Sequence, residues 1–328
     1  MKLAVISTSR IVDEFLANLG DMPQIEVAAL CCRPQSAPKA EAWAAQYGIG
    51  RVCTDEAALL AEGGFDAVYI GTANHLHHST AKRVLAAGYH VILEKPFTAT
   101  AAEARELFAL ADSKGVMIFE AITTPYLPEY AFLQQELPKI GPVRGVMASF
   151  CARSRRYDDY LAGIWNTTFD PACSGGALYD MNVYNLHYLW GLLGMPERCE
   201  YFPSRGANGV DTAGLAVLHY PGFSAACLAA KDSESAQGCT IQGPGGCLTV
   251  EGGTNALPAV YSVLGGVRGR GARTDGPPQT RPPLAYEFGA FARMIAENDR
   301  AGEAEARRRT LAVMEMIDQL RRSAGETV

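Results

Sequence analysis

Between residues 66 and 96 the polar and apolar positions alternate in blocks. Residues 67–70 are continuously apolar, the pattern of a strand buried on both faces of a sheet. A turn carrying Gly71, Thr72 and Asn74 follows, and then a segment in which Ala81, Val84 and Leu85 recur at helical spacing. A second apolar run covers 90–93, so the pattern predicts one strand–helix–strand unit with parallel strands. That second strand runs directly into Glu94-Lys95-Pro96. An ammonium is thereby placed at the carboxyl edge of a parallel sheet, where open α/β sheets bind their ligands.

The same rhythm continues on both sides of this unit. Residues 2–6 read as a strand, 12–19 as an amphipathic helix and 25–31 as a strand. Helices are expected over 38–47, with Ala40, Trp43, Ala44 and Tyr47 on one stripe, and over 54–60, capped by Thr54 or Asp55. A helix over 101–114 ends at Gly115, and 116–121 forms a further strand. By Ala121 strand-like segments have alternated with helices throughout, which predicts an α/β doubly wound parallel sheet over residues 1–121.

Two prolines within 122–128 mark the passage into a second domain, 122–328. There 145–152, 213–219, 224–230, 238–242, 247–251 and 259–264 alternate as strands, with turns at 220–222 and 243–246. The expected fold is α+β, with an open, largely antiparallel sheet and helices on one face. Residues 265–283, rich in Gly, Pro and Arg, read as a long exposed loop. Helices over 284–298 and 303–323 close the chain, the last with Leu311, Met314, Ile317 and Leu320 as a core stripe.

Two further stretches carry candidate chemistry. After the first strand comes Ser7-Thr8-Ser9-Arg10-Ile11-Val12, where a dinucleotide-binding unit normally has G-x-G-x-x-G/A. Ser7, Ser9 and Val12 stand in the glycine places. Serine N–H and O–H groups both donate to phosphate, so adapted binding competes here with an ordinary strand-to-helix turn. After the second strand, Cys32-Arg33-Pro34-Gln35-Ser36 has no carboxylate to read a ribose 2′-hydroxyl. Arg33 and Ser36 favour the 2′-phosphate of NADP over NAD, although Arg33 alone reads equally as a solvated strand end. In the run 174–187, Gly175 and Gly176 release the chain into a helix on which Asp180 and Tyr184, four apart, share a face. Tyrosine is a poor base near neutral pH, but a neighbouring lysine cation favours the phenolate and stabilises a developing alkoxide. Each of these residues also has a structural reading: Asp180 as a carboxylate at a helix N-terminus, Tyr184 as a half-buried aromatic, Lys95 as a solvated strand end.

Ala73-Asn74-His75-Leu76-His77, Ala87-Gly88-Tyr89-His90 and Glu94-Lys95-Pro96 resemble the P-N-x-x-H, A-G-K-H and E-K-P signature of the glucose-fructose oxidoreductase, inositol dehydrogenase and rhizopine-catabolism (Gfo/Idh/MocA) family. Ala73 and Tyr89 depart from it. The 174–187 run is similar to that family's G-G-G-x-L-x-D-x-G-x-H/Y, with Ser174 and Asn182 in glycine places and Tyr184 last, as in the dihydrodiol dehydrogenase branch. The resemblance implies a Rossmann domain binding NADP, or NAD, through Ser7, Thr8, Ser9, Arg10, Ile11, Cys32, Arg33, Thr72, Ala73, Asn74, His77, Glu94, Lys95 and Ala121. It implies catalysis by Lys95, Asp180 and Tyr184 on the hydroxyl or carbonyl of a sugar, polyol or cyclic diol, and a homodimer or homotetramer built through the second sheet. Trp165, Asn166 and Tyr184 are candidate substrate contacts, and Arg153, Arg155, Arg156 and Tyr157 candidate pocket or entrance residues, although for all of these but Tyr184 the sequence suits a surface placement equally well. A catalytically silent dinucleotide sensor and an NAD-dependent glycosidase remain as alternatives.

Composition narrows the partners. The 328 residues carry a net charge of -6, with no basic field for nucleic acid, and small molecules are the expected partners. Nine cysteines without regular spacing suit reduced, mostly buried thiols. His75, His77 and His78 lack acidic or thiol companions at ligand spacing, so no metal is expected. The apolar start breaks at Ser7, well short of a secretory core, no later segment approaches a membrane span, and a cytoplasmic location is expected.

Overall fold

In the computed structural model, which describes residues 1–266 and 271–328, the first sheet has six parallel strands in the order β3-β2-β1-β4-β5-β6. They are β1 (Lys2–Ile6), β2 (Glu26–Cys31), β3 (Val52–Cys53), β4 (Ala67–Ile70), β5 (His90–Glu94) and β6 (Ile118–Ala121). The connecting helices are α1 (Arg10–Ala17), α2 (Ala37–Tyr47), α3 (Glu56–Glu62), α4 (His77–Ala86) and α5 (Ala101–Lys114). Every residue of β4 is buried, as its unbroken apolar run requires. Of the two caps weighed for α3, Asp55 serves: its Oδ1 accepts from the Ala57 and Ala58 amides at 2.9 and 3.1 Å. The strand order reverses between β1 and β4, the switch point where such sheets hold ligands.

The second unit contains α6 (Pro128–Glu136), β7 (Gly145–Cys151), α7 (Tyr157–Leu161) and α8 (Val183–Leu193). Its remaining strands are β8 (Arg198–Arg205), β9 (Asp211–Tyr220), β10 (Phe223–Ala230), β11 (Gly238–Gly243), β12 (Gly246–Glu251), β13 (Ala259–Leu264) and β14 (Ala272–Asp275). They order as β14-β13-β12-β11-β7-β10-β9-β8, with β7 and β10 parallel and the other neighbours antiparallel. β8 and β14 were not expected from the pattern. Both are edge strands, with one pairing neighbour each; β8 contains Pro203 and β14 is exposed throughout, so neither needs the alternation that marks a central strand. β14 also corrects the loop expected over 265–283, of which residues 267–270 lie outside the described residues.

The chain groups as Met1–Ala121 with Leu284–Leu311, and Ile122–Pro283 with Ala312–Val328. A second domain running unbroken from 122 to 328 is therefore corrected at residues 284–311. The reason is aromatic packing. On α9 (Pro283–Glu297), Phe288 lies 4.5 Å from the Phe15 ring and 5.0 Å from Tyr69, and Phe291 stacks on Phe119 at 4.9 Å. α10 (Arg300–Ser323) begins in the first unit, where Glu303 accepts from the Ile118 amide at 3.0 Å. Its later residues Met314, Ile317 and Leu320 are fully buried, as their stripe predicts.

Candidate active site

In a parallel sheet all strands end on one edge, and the cofactor candidates of the first unit follow those ends. Ser7 succeeds β1, Cys32 and Arg33 succeed β2, Thr72, Ala73 and Asn74 succeed β4, and Glu94 and Ala121 close β5 and β6. Ser7 has φ +139°, a left-handed conformation that favours glycine. The backbone thus keeps the glycine-type turn although the residue is serine. The Ser7 amide donates to Cys31 O at 2.9 Å, and its hydroxyl accepts from the Ser9 amide at 3.0 Å. The turn opens α1, whose first amides have no intrahelical acceptors and suit an anion.

Gly71 explains how the β4 turn comes so close to this loop. A methyl on it would sit 2.8 Å from Val12 Cγ2 and 3.3 Å from Ser9 Oγ, so a side chain there would push the two turns apart. The buried Ser9 and Thr72 hydroxyls have no hydrogen-bond partner, which is costly unless a polar group meets them. These orphaned donors fit the phosphates of a dinucleotide. Arg10 and Arg33 are exposed and Ile11 half-buried. A cation that the pattern did not single out also reaches the loop: Lys39 donates to Thr8 O at 2.9 Å and lies over the Trp43 ring.

His77 stands behind the cradle. It is fully buried, with Nδ1 2.8 Å from Pro96 O and Nε2 3.1 Å from Thr72 O, and so braces the β4 turn against the turn after β5. Burial holds its pKa below the ordinary histidine value. His78 pairs with Glu106 and His75 is exposed; among the described residues no group of His, Cys, Asp or Glu could hold a metal ion.

Lys95 is half-buried and follows a buried carboxylate, Glu94, whose Oε1 accepts from the Tyr69 hydroxyl at 2.7 Å. Glu120 accepts from the Phe97 amide and the Thr310 hydroxyl, and Glu287 of α9 lies buried near both carboxylates. Burial pushes the Glu94 pKa up to about 7, while Tyr69 and the Lys95 charge act against the shift. Glu287 is raised well above the usual range by burial and by its two acidic neighbours. Because the folded-state pKa of Glu94 lies above the unfolded one, its protonated form stabilises the fold fully below about 4.5, and that stability drains away as pH rises through about 7. Glu94→Gln is expected to remove about 3 kcal/mol of this pH dependence, from about 1.4 kcal/mol per unit. Urea unfolding of both proteins at pH 5 and pH 8 measures it, and an unchanged difference between the two pH values would exclude Glu94 as its source.

In the second unit, Asp180 lies on a π-helical turn, Leu178–Asn182, which leads into α8 with Tyr184 in its first turn. The expected helix is therefore present with its first turn widened, a feature found often at functional sites. Gly176 enters this turn at φ +113°, packed against Asp211, whose Oδ2 accepts from the Leu178 amide at 2.7 Å and from the Tyr201 hydroxyl at 2.5 Å. Burial pushes the Asp211 pKa up to about 6, against the pull of these bonds. Asn182 donates to Cys227 O and accepts from Asn185, which in turn accepts from Thr254. Tyr184, half-buried, meets the Phe150 ring edge-on at 5.6 Å.

Asp180 Oδ2 is 2.8 Å from the ammonium of Lys231, a buried residue that nothing in the local sequence marks. Asp211 and Lys231 both sit at strand ends far along the chain from 174–187, so no motif spacing could reveal them. Of the substrate candidates, Trp165 is exposed and donates to Asp170 at 2.6 Å, and Asn166 accepts from Thr168 at 2.9 Å. Arg153 and Arg156 pair with Asp158 and Asp159 on the surface, Arg155 is exposed, and Tyr157 is half-buried against Phe169.

Two family models match the chain: "Oxidoreductase family, NAD-binding Rossmann fold" over residues 1–122 and "GFO/IDH/MocA C-terminal domain" over residues 138–249. The chain is 32% identical to the scyllo-inositol 2-dehydrogenase (NADP(+)) of Bacillus subtilis over 327 residues, 99% of this chain and 97% of that one. It is 29% identical to the pig trans-1,2-dihydrobenzene-1,2-diol dehydrogenase over 226 residues, 68% of this chain and 65% of that one. Among solved structures, a 3-ketoreductase from Actinomadura kijaniata in complex with TDP-benzene and NADP shares the fold with a TM-score of 0.81 at 24% identity, covering 98% of this chain and 96% of its own. With a relative this similar along its whole length, and with a glycine-type turn after β1, the chain belongs to the Gfo/Idh/MocA family of oxidoreductases with an NAD-binding Rossmann fold.

Proposed function

We propose that the protein transfers a hydride between NADP(H), in preference to NAD(H), and a hydroxyl or carbonyl of a polyol, sugar or cyclic diol. The observation that carries this reading is the end-to-end similarity to an NADP-dependent scyllo-inositol dehydrogenase. When bound, the nicotinamide supplies the hydride chemistry, and the chain's own residues handle the proton. Lys95 and Tyr184 are the proton-handling pair: the ammonium stabilises negative charge on the reacting oxygen, and the tyrosine exchanges the proton. Asp180 is the orienting carboxylate. Ser9 and Thr72 donate to the phosphates, a reading supported by their orphaned hydroxyls. Reduction of NADP+ by scyllo-inositol, followed by absorbance at 340 nm, tests the activity, with a panel of polyols and diols setting the substrate class. Cofactor binding without turnover of any of them would favour a silent sensor.

Arg33 carries the cofactor preference. Fluorescence titration is expected to show tighter binding of NADPH than of NADH, and Arg33→Ala to narrow that gap about 10-fold, the scale for losing charged hydrogen bonds. Tighter NADH binding by the unaltered protein would overturn this role.

The reading extends to assembly. Met147, Phe202 and Leu228 are exposed on one face of the second sheet, where the pairing register sets Phe202 and Leu228 beside Leu215 and Met147 beside Ala226. Burying this apolar face against a second copy gives a homodimer or homotetramer, to be read from the mass in light scattering. No described helix is long and apolar enough to cross a membrane.

A further inference from the structure

Lysine is rarely buried without a partner, and Lys231 is among the largest fully buried side chains of the protein, 1% exposed. Its backbone is fixed just past β10: the amide donates to Thr212 O at 2.7 Å and the carbonyl accepts from the Ser154 amide at 2.8 Å. From there the side chain reaches two separate pieces of the site. Its ammonium lies 2.8 Å from Asp180 Oδ2 and donates to Thr168 O at 2.8 Å, with the Phe169 ring centroid 4.7 Å away. One cation therefore joins the carboxylate of the π-helical turn to the segment that carries Trp165 and Asn166.

The surroundings limit what else this ammonium could do. Phe169 is buried against Tyr160 and Tyr157, so the cation is screened from water on the segment side. The Asp180 side chain is 34% exposed, so the pair presents its carboxylate and hides its lysine. A buried ion pair of this kind is weak evidence for stability and better suited to fixing geometry. Backbone bonds tie the segment to its neighbours: the Cys173 and Gly175 amides donate to Asp170 O, the Gly176 amide donates to Thr168 O, and Asn208 donates to Phe169 O.

We propose that Lys231 is a positioning residue that clamps the Asp180 carboxylate to the 166–170 segment, setting with one buried ammonium both the aim of the carboxylate and the seat of the candidate substrate loop. Its catalytic side rests on the proposed oxidoreductase reading; its structural side does not.

Two measurements on the full-length protein test the clamp. In amide hydrogen exchange, Lys231→Met is expected to speed exchange at Gly175 and Gly176 at least 10-fold while leaving Ile92 in the first unit unchanged; unaltered rates at both glycines would overturn the proposal. In kinetics, Lys231→Met is expected to lower kcat on the order of 10-fold or more with the KM for cofactor little changed, and Lys231→Arg to recover much of the loss. The decisive arm is a double-mutant cycle: the part of the kcat loss that runs through the Asp180 carboxylate should vanish once Asp180→Asn is in place, so the two losses should combine to clearly less than their product, while the part that runs through the 166–170 segment appears in the KM for substrate. Losses in kcat that multiply would show Lys231 acting independently and overturn its positioning role. If the unaltered protein turns over none of the polyols and diols, the oxidoreductase reading fails in that control, and the exchange rates still decide the clamp.

Discussion

Lys95→Met is expected to abolish turnover, lowering kcat on the order of 10³-fold, while the protein stays folded and still binds NADPH. In the proposed mechanism the loss follows from removing the ammonium that succeeds β5 at the carboxyl edge of the sheet, since a lost stabiliser of oxyanion charge costs about 10²- to 10³-fold. The fold should tolerate the change. Lys95 lowers the pKa of Glu94 next to it, so removing the charge moves that carboxyl further toward its neutral form, the form burial prefers. Tyr184→Phe should lose about 10²-fold, because its ring keeps the edge-on packing against Phe150 and only the hydroxyl is gone. Steady-state kinetics beside an NADPH titration separates these outcomes. A Lys95→Met protein with ordinary kcat would remove Lys95 from the chemistry altogether.

Gly176→Ala is expected to be the most damaging of the small substitutions. A methyl there would lie 1.8 Å from Asp211 Oδ1 and 3.2 Å from Asp211 O, and φ +113° strains any residue with a side chain. Strain and overpacking together should cost about 3 kcal/mol or more, a Tm drop of roughly 10 °C. Because Asp211 accepts from the Leu178 amide, the damage should reach the π-helical turn and lower kcat as well. Gly163→Ala provides the control: φ is again positive, at +72°, but nothing lies within 4 Å of the added methyl, so the loss should stay near 1 kcal/mol. Equal Tm shifts for the two variants would mean that the contact with Asp211 adds nothing.

Several parts of this molecule were determined by local sequence. The fully apolar strand β4, the apolar run 91–93 of β5 and the stripe of α4 fix the central unit, because burial on both faces of a parallel sheet favours an unbroken apolar run. The places of Lys95, Asp180 and Tyr184 at a strand end and at a helix start were equally legible, since each sits in a motif whose spacing the backbone preserves. The open sheet could be traced strand by strand wherever alternation marks a buried face, and failed at the edges, where β8 and β14 bury too little to be marked.

What local pattern does not carry is partnership over long chain distances. That Ser7 holds a glycine-like φ is decided by the strand and turn that pack around it, not by serine, whose own preference lies elsewhere. That α9 returns to the first unit depends on Phe15, Tyr69 and Phe119 offering an aromatic surface more than 170 residues away. Asp211 and Lys231 read in sequence as ordinary charged residues at strand ends. Only the folded chain brings one under Gly176 and the other against Asp180, because burying a charge requires a partner and the tertiary structure alone supplies it.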